Sequence, residues 1–595
     1  MLMTNLITSL KKSEIGFFLL VVVLNSLLIL FLYKSVFSLE IQGDTWQYAY
    51  NQEFAYGNSL KTADSIRSLK TSLGGSYLIF SLIKLTFGLN SFAYYTISVI
   101  LKFLTAISAY LFIKKLTQNK VSALIASLFL SATFVGIEAT HWVFNMYAYV
   151  GLIFITLGLS VSLDLPQKFN IKRWLVSFLL VAIGIWVGPM RTNGIMLVVL
   201  ACSLYKVFLL RSVDSYKNLF YWLGGFIVLY FVYRNYLGLF EPAYSKYYIW
   251  DVWWRTFGEN LSIGKYDFLF SPASNVGRII LPDIWLASIS FYQKYSPIFG
   301  LTNFRAILVP MFLIFILLSF ILSRIGEAKN RIFQQMFVLG FFWSALVTFA
   351  YKQGPLNFPS WQDLMFTLWG GYFWAWCIAF FSFSKKEGFR KDAFLFAFFW
   401  SFAFMLVPIA TNGGNTFSTF HRYFVVTAQA VPLFVGGILS LMFQGRINFS
   451  KVLVLLGIFT MISLHSGYTK SFFDNKAKAH SRTVSNRIWQ DFSGIVPNSP
   501  KYRKTNPRIW FEAGTPLDRE ILFESLLFGG VFRIGMKYGW DAANTNGFYF
   551  ENYDSLVSDV NKDPDLLKNF YAVRVENGRL VNITDRVKKD ILAKI

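Results

Sequence analysis

The chain is poor in charge: Asp, Glu, Lys and Arg make up 15% of its 595 residues, against 55% hydrophobic and 19% aromatic residues. That balance excludes an ordinary soluble globular protein. Cysteine is nearly missing too, and the two present, Cys202 and Cys377, lie inside long apolar runs. Any part of the chain outside those runs must therefore stand without disulfides. There is no Walker loop, zinc-ligand spacing, G-x-S-x-G elbow or dinucleotide fingerprint, so none of those chemistries has support. Internal repeats and low-complexity tracts are also missing. The first apolar run lacks a small-residue cleavage site and is too long for a cleavable signal peptide.

What the chain has instead is a series of long hydrophobic segments. A helix rises about 1.5 Å per residue, so roughly 20 apolar residues cross a hydrocarbon layer about 30 Å thick. On that template thirteen spans are expected, near 15–37, 92–113, 121–137, 144–163, 174–188, 194–210, 218–236, 304–323, 332–351, 364–383, 393–411, 423–443 and 452–467. The predicted fold is an all-α polytopic membrane protein over 1–467.

The excess of 56 Lys and Arg over 32 Asp and Glu would suit nucleic acid, but its distribution decides otherwise. Seven segments on one side (1–14, 114–120, 164–173, 206–217, 324–331, 384–392 and 444–451) hold 20 of the 56 and read as cytoplasmic. The shorter segments opposite offer Lys61, Arg67, Lys70 and Lys84 in the first loop (38–91), then Arg191, Lys352 and Arg422. The charge reports topology, with the N-terminus cytoplasmic, membrane lipids as surroundings and no nucleic-acid partner. The stretch "GGSYLIFSLIKLTFGLN" (74–90) is nearly apolar enough to span, but crossing there would turn most of the basic segments outward. It is expected to lie on the outer surface as an interfacial or re-entrant helix, with Lys84 reaching toward headgroups.

Odd parity places 468–595 outside the cell. Its texture changes to 20 Lys and Arg against 15 Asp and Glu, with no span-length apolar run. A small extracytoplasmic α/β domain is predicted. "NPRIWFEAG" reads as a buried strand, "DREILFESLLFGGVFRIG" as a helix ending near Gly529 and Gly530, and "FYAVRVENGRLVNIT" as a hairpin turning at Asn577 and Gly578.

Two outward turns carry acids. "SLEIQGDTWQYAY" places Glu40 and Asp44 just after the first span, and "FVGIEATHWVFNMYAYVG" gathers Glu138, His141, Trp142 and Asn145 within eight residues. An isolated acid at a helix exit is usually a solvated residue at headgroup level. Two acid-bearing turns on one face of the membrane argue for more.

With these features in order, residues 15–210 resemble the GT-C type of polytopic glycosyltransferase, such as protein O-mannosyltransferases and aminoarabinose transferases that use polyprenyl-phosphate sugars. The resemblance rests on the first-loop acid Asp44, the run "FGLNSFAYYTISVILKFLTAISAYLFIKKL", "EATHW", "MRTNGIMLVV" and "HRYFVV". The chain departs from many relatives in having one acid within "GDTW", with Glu40 four residues earlier, and "VFNMYAY" after the second acid.

The resemblance implies inverting transfer of a sugar from a polyprenyl-phosphate donor to a hydroxyl of a glycan, lipid or protein acceptor at the outer membrane face. Asp44 is then the candidate general base, a role worth about 10²–10⁴ in rate. Glu138, the second candidate catalytic acid, would orient a substrate or help hold a divalent ion, magnesium or manganese, the metal requirement being left open, and the sequence equally allows the two acids to exchange roles. Arg191, Arg422 with His421, and Lys352 are candidates to meet the charge of the departing lipid phosphate. Glu40, His141, Asn145, Asn193 and Tyr423 are candidate substrate-binding neighbours. Lys102, in the middle of the second span, must face the bundle and find a partner, because exposure there costs roughly 2.5–3.5 kcal/mol. The long outer loop 237–303 is rich in aromatic residues, which suits either an interfacial belt or a gate over the donor. Two other classes stay open: a lipid or solute transporter or flippase, and a non-catalytic envelope scaffold.

Overall fold

The computed structural model describes residues 14–51, 74–240, 258–259, 261–264, 267–281, 303–325, 328–352, 361–383, 389–411, 424–444, 448–503, 507–539, 548–550 and 552–594. Within them, eight helical stretches are long and apolar enough to cross a membrane: Glu14–Ser38, Ser91–Thr117, Val143–Ser162, Phe304–Ser323, Lys329–Lys352, Asp363–Ser382, Phe424–Met442 and Phe449–His480. Three more predicted spans coincide with shorter apolar helices, Lys120–Ala132, Ile195–Leu210 and Asp392–Phe404. The remaining two fall on Ile171–Val187 and Val213–Phe240. Lys120–Ala132 has 13 residues and rises only about 20 Å, less than a hydrocarbon layer. The chain is a largely helical, multi-pass membrane protein with a small sheet near its C-terminus.

The outer helices bury one stripe and leave another apolar, whereas Phe424–Met442 is buried nearly all round. In Glu14–Tyr33, Ile15, Leu19, Val23, Leu27 and Phe31 recur every fourth residue and are exposed, while Phe17, Val21, Asn25 and Ile29 recur with the same period and are buried. Hydropathy is the same on both stripes, so lipid-facing and protein-facing sides differ by packing and by polar residues. Asn25 marks the inner side: its amide donates to Ser127 Oγ at 3.2 Å, and Ser131 Oγ donates to its carbonyl at 2.7 Å. Lys102 is 3% exposed with its ammonium 5.7 Å from the centre of the Tyr149 ring, so the interior partner it requires is an aromatic face. Asparagines cap the starts of Ser91–Thr117, Lys120–Ala132, Ile171–Val187 and Phe449–His480, each side chain accepting N–H groups of the first turn.

The predicted surface segment is a helix, Gly74–Phe87, whose 14 residues rise about 21 Å. Tyr77, Phe80 and Ile83 are buried against the bundle, and Leu82, Leu85 and Phe87 are exposed. Ser76 Oγ donates to Val187 O at 2.9 Å, fastening it to the end of Ile171–Val187. Lys84 turns inward, with Nζ 3.5 Å from Ala49 O of the first loop. Most of the aromatic loop 237–303, including both of its aromatic stretches for the greater part, lies outside the described residues. Inside it, the helix Asp267–Ile280 packs against Trp361–Phe383 so closely that a Cβ on Gly370 would sit 1.8 Å from Ala273 O and one on Gly277 would sit 1.9 Å from Phe366 O. Arg278 and Asp363 pair at 2.7 Å across this contact.

Phe449–His480 runs unbroken into the C-terminal α/β region. Four strands, β1 (Arg508–Ala513), β2 (Phe548–Phe550), β3 (Phe570–Glu576) and β4 (Arg579–Asn582), form one sheet in the order β2-β1-β3-β4. β1 runs parallel to β2 and β3, and β3 pairs antiparallel with β4. The β3–β4 turn has Asn577 at φ 51° and Gly578 at φ 71°, the left-handed pair that an Asn-Gly hairpin needs. Side chains alternate, as the pleat demands: Ile509, Phe511, Val573 and Val575 pack with Ile488, Phe492 and Leu522, while Trp510 and Ala572 pack on the other face with Leu556, Val560 and Val587. The predicted helix is Pro516–Leu522, continued by a wide turn at Phe523–Leu527, and it ends near Gly529 and Gly530 as expected, with a second helix, Gly530–Tyr538, following. The break comes at Gly529, whose φ is +72°.

Gly370→Ala is expected to lower stability by at least about 1–3 kcal/mol, the usual cost of overpacking. Gly457→Ala, where a Cβ meets nothing within 4 Å, should be neutral or slightly stabilising. Thermal unfolding of the two purified variants in detergent checks the contrast.

Candidate active site

The first loop is shaped by the end of the long C-terminal helix. After Lys34–Ser38 the chain becomes extended, Leu39 pairs with Ser481, and Glu40 N donates to His480 O at 3.1 Å. Glu40 is buried: its Oε1 accepts from Ser91 Oγ at 2.8 Å and lies 3.8 Å from Arg533 Nη2. Arg533 comes from Gly530–Tyr538 and is itself 3% exposed. Its guanidinium lies between the rings of Trp46 and Trp489, 4.8 Å from each centre, and Nη1 donates to Ser485 Oγ at 2.8 Å. Burial pulls its pKa down to about 10 while Glu40 acts in the opposite sense, so it remains a cation at neutral pH.

Three residues on, Gly43 turns the chain at φ +60° into the helix Asp44–Tyr50. A Cβ at this position would fall 2.2 Å from the Phe528 ring and 2.7 Å from the Trp142 indole nitrogen. Gly43 N donates to Phe528 O at 3.3 Å, and a Cβ on Gly529 would strike Gly43 O at 2.3 Å. The backbones meet with no room between them. Asp44, half-buried, starts the helix directly after this contact.

The second acid-bearing turn reaches the same place. Glu138–His141 is one helical turn, closed by Trp142 N donating to Glu138 O at 2.8 Å. Trp142 stacks on Phe528 at 4.7 Å, so the residue following the second-loop acid turn touches both Gly43 and the C-terminal region. Gln42 Nε2 lies 2.9 Å from the His141 ring nitrogens, and the Tyr95 hydroxyl reaches Glu40 O at 2.9 Å and His141 O at 3.1 Å. Burial, with smaller contributions from Lys476 and His480, holds His141 well below the usual imidazole range and therefore neutral. Beyond Trp142, Asn145 Oδ1 accepts from Arg191 Nη2 at 2.6 Å, and the Arg191 guanidinium lies 5.1 Å from the centre of the Tyr147 ring. Arg191 is 4% exposed, on the short helix Pro189–Thr192.

The C-terminal region supplies a third set of charges. Lys476 pairs with Glu524 at 2.6 Å and with Glu520 at 2.9 Å. Glu524 is 6% exposed, and burial raises its pKa against the pull of Lys476, with Glu520 and Glu138 adding repulsion. Its surroundings therefore include the second-loop acid.

Of the residues expected from sequence, Glu40, Asp44, Glu138, His141, Asn145 and Arg191 belong to this one neighbourhood, and Asn193 follows Thr192 at its edge, half-buried. Lys352 is exposed at the end of Lys329–Lys352, a helix that packs against Asn303–Ser323 and Trp361–Phe383. His421, Arg422 and Tyr423 lie outside the described residues. Sequence reading missed Gln42, Tyr95, Lys476, Glu524, Phe528 and Arg533. One signal was available for Glu524, an acid enclosed in "ILFESLLF", because apolar neighbours on both sides foretell burial. Among the described residues no three His, Cys, Asp or Glu side chains converge as metal ligands.

No family model matches the chain. No curated protein matches it either. Among solved structures it matches ArnT from Cupriavidus metallidurans in the apo state, with a TM-score of 0.31 and 11% identity, covering 95% of this chain and 94% of that one.

Arg533→Ala leaves Glu40 buried without its cation and is expected to destabilise the protein by about 3–5 kcal/mol. Arg533→Lys should recover only part, since an ammonium cannot stack flat between two indoles. Thermal midpoints, with limited proteolysis of the C-terminal region, measure both.

Proposed function

We propose that the protein is a membrane glycosyltransferase of GT-C type, moving a sugar from a polyprenyl-phosphate donor to an acceptor hydroxyl with inversion at the anomeric carbon. The observation that carries this reading is the meeting of the two acid-bearing turns at Trp142, with the buried cation Arg191 on the same turn through Asn145. The sequence resemblance of residues 15–210 adds to it. In this reading residues 1–467 form the transmembrane part, the N-terminus is cytoplasmic, and the site and the domain 468–595 lie outside.

In the proposed reaction the acceptor oxygen attacks the anomeric carbon and the bond from that carbon to the phosphate oxygen breaks. The acceptor proton passes to the Asp44 carboxylate, and the lipid phosphate leaves carrying the negative charge. Arg191 would meet that charge, with Arg422, His421 and Lys352 as further candidates. Each charge-assisted hydrogen bond to phosphate contributes about 1.5–3 kcal/mol. Glu138 orients the reacting sugar or acceptor. The neutral imidazole of His141, bound to Gln42, keeps the two turns in register without adding a positive charge beside the base.

The test is transfer by the purified full-length protein from radiolabelled polyprenyl-phosphate sugars to a panel of acceptors comprising an oligosaccharide, a hydroxyl-bearing lipid and a serine- and threonine-containing peptide. Asp44→Asn should fold normally and lose transfer by about 10²–10⁴-fold. Transfer at the wild-type rate by the folded variant removes Asp44 from the mechanism, and no transfer by the wild type favours a scaffold.

A further inference from the structure

The end of the bundle away from Asp44 holds a cavity. Ser91, whose hydroxyl bonds Glu40, begins a 27-residue helix that rises about 40 Å. Near its far end Lys115 donates to Ser160 O at 2.7 Å and pairs with Asp164 at 2.9 Å. Beside that turn, Tyr147–Ser162, Ile195–Leu210, Val213–Phe240 and Phe389–Thr411 enclose a half-open cavity, to which they bring Ser162, Ser203 with Lys206, Asn218 and Asp392. Leu159, Trp222 and Phe396 give it apolar walls. With its mouth included the cavity measures about 390 Å³, and its interior, about 40 Å³ where one water needs about 10–15 Å³, admits a polar group of a few heavy atoms.

Its polar groups are arranged by depth. Lys206 and Asp392 pair at 2.7 Å with side chains 14% and 4% exposed, so the ammonium stands nearer the mouth and the carboxylate deeper. An ammonium carries three N–H donors, and the Asp392 contact leaves some for an anion. Asn218 is 2% exposed, and its Nδ2 donates to Ser203 Oγ at 3.1 Å while its Oδ1 accepts nothing among the described residues. A buried acceptor is rarely left so. The cavity is thus electroneutral, with donors toward its mouth and an open acceptor and a carboxylate within. A lone phosphate would lie against Asp392 and leave Asn218 unanswered, whereas a ligand with an anion outside and an N–H-bearing cation inside meets every group. Leu204, Phe208 and Leu209 on one lining helix, and Val213, Tyr216 and Phe220 on the next, are exposed. That apolar surface suits the acyl chains of a lipid whose headgroup enters the cavity.

We propose that this cavity binds the headgroup of an aminophospholipid, its primary ammonium donating to Asn218 Oδ1 and Asp392 and its phosphate accepting from Lys206. The site is separate from the glycosyl-transfer reading and stands or falls without it. No bond forms or breaks there; the lipid ties together four helix ends that meet through one ion pair. A trimethylammonium headgroup carries the same charge but no N–H, so it leaves Asn218 Oδ1 unanswered and brings more bulk than the interior admits. Water filling the cavity, an anionic phospholipid and a free phosphorylated amine are the alternatives the experiment separates.

The experiment titrates the purified, delipidated full-length protein with dioleoyl phospholipids in detergent and counts bound lipid by native mass spectrometry. The headgroups are ethanolamine, N-methylethanolamine, N,N-dimethylethanolamine and choline, a series that keeps phosphate and positive charge while removing N–H donors one at a time. The expected result is one tightly held phosphatidylethanolamine, with affinity falling by about tenfold or more along the series, the size of one charge-assisted hydrogen bond. Asn218→Leu should flatten the series. Lys206→Met combined with Asp392→Leu removes both charges and strands neither, so it should fold and lose the tight binding. Thermal midpoints identify folded variants, and should Asn218→Leu fail to fold, the double variant and the wild-type series decide. A flat series in the wild type, or a graded one that persists in the folded variants, overturns the site and leaves the cavity to water. Tighter binding of phosphatidylglycerol than of phosphatidylethanolamine overturns the aminophospholipid class. Binding of free O-phosphoethanolamine as tight as that of the lipid overturns the lipid as its source.

Discussion

The contact on which the site depends is the meeting of backbones at Gly43 and at Phe528 and Gly529. Two residues without side chains let a loop from the start of the chain and a loop from near its end approach until a single added carbon would collide with ring or carbonyl. Around that contact lie the Trp142–Phe528 stack, the Arg533 cation between two indoles, and the Glu40 carboxylate. Asp44 follows Gly43 directly, so its position is inherited from this contact more than from the helix it begins.

A second principle is the use of polar groups inside an apolar bundle. Among lipid tails, helix faces gain little from hydrophobicity alone, and alignment falls to hydrogen bonds and close small-residue packing. Asn25 with Ser127 and Ser131, Thr156 with Ser108, and Arg278 with Asp363 are such points. At the other end of the bundle from Asp44, Lys206 pairs with Asp392 at 2.7 Å, both largely buried, joining Ile195–Leu210 to Phe389–Thr411. Each such pair is strong only while both partners stay desolvated together.

Much of the fold was legible in the residues because helices are announced locally. Apolar runs marked the helices of the bundle, and Asn577 with Gly578 marked the hairpin, whereas the polar helices Arg482–Ile495, Tyr553–Lys562 and Thr584–Leu592 carry no such run. The three-residue strand β2 was not visible, since so short a piece depends wholly on β1 beside it. The site was legible by half. Asp44, Glu138 and Asn145 declared themselves as polar residues at the ends of apolar runs, but what Glu40 does was settled by Ser91 and Arg533, both remote in the chain. The end of the helix near Gly529 was legible, but the left-handed turn there serves a meeting with Gly43 that exists only in three dimensions. Glu524 had a local signature in its apolar neighbours, yet nothing near it in the chain named Lys476 or Glu138 as its company.

The helix Phe449–His480 has 32 residues and so extends about 48 Å, well beyond a hydrocarbon layer of about 30 Å. It leaves the bilayer without a hinge and hands the chain to Arg482–Ile495 only after Ser481 has bridged to Leu39. A region mounted on such a mast keeps a set height and bearing over the membrane, unlike a bead on a flexible tether. Tilting that one rod would carry the loop at Phe528 with it, so the angle of a single helix bears on the contact at Gly43.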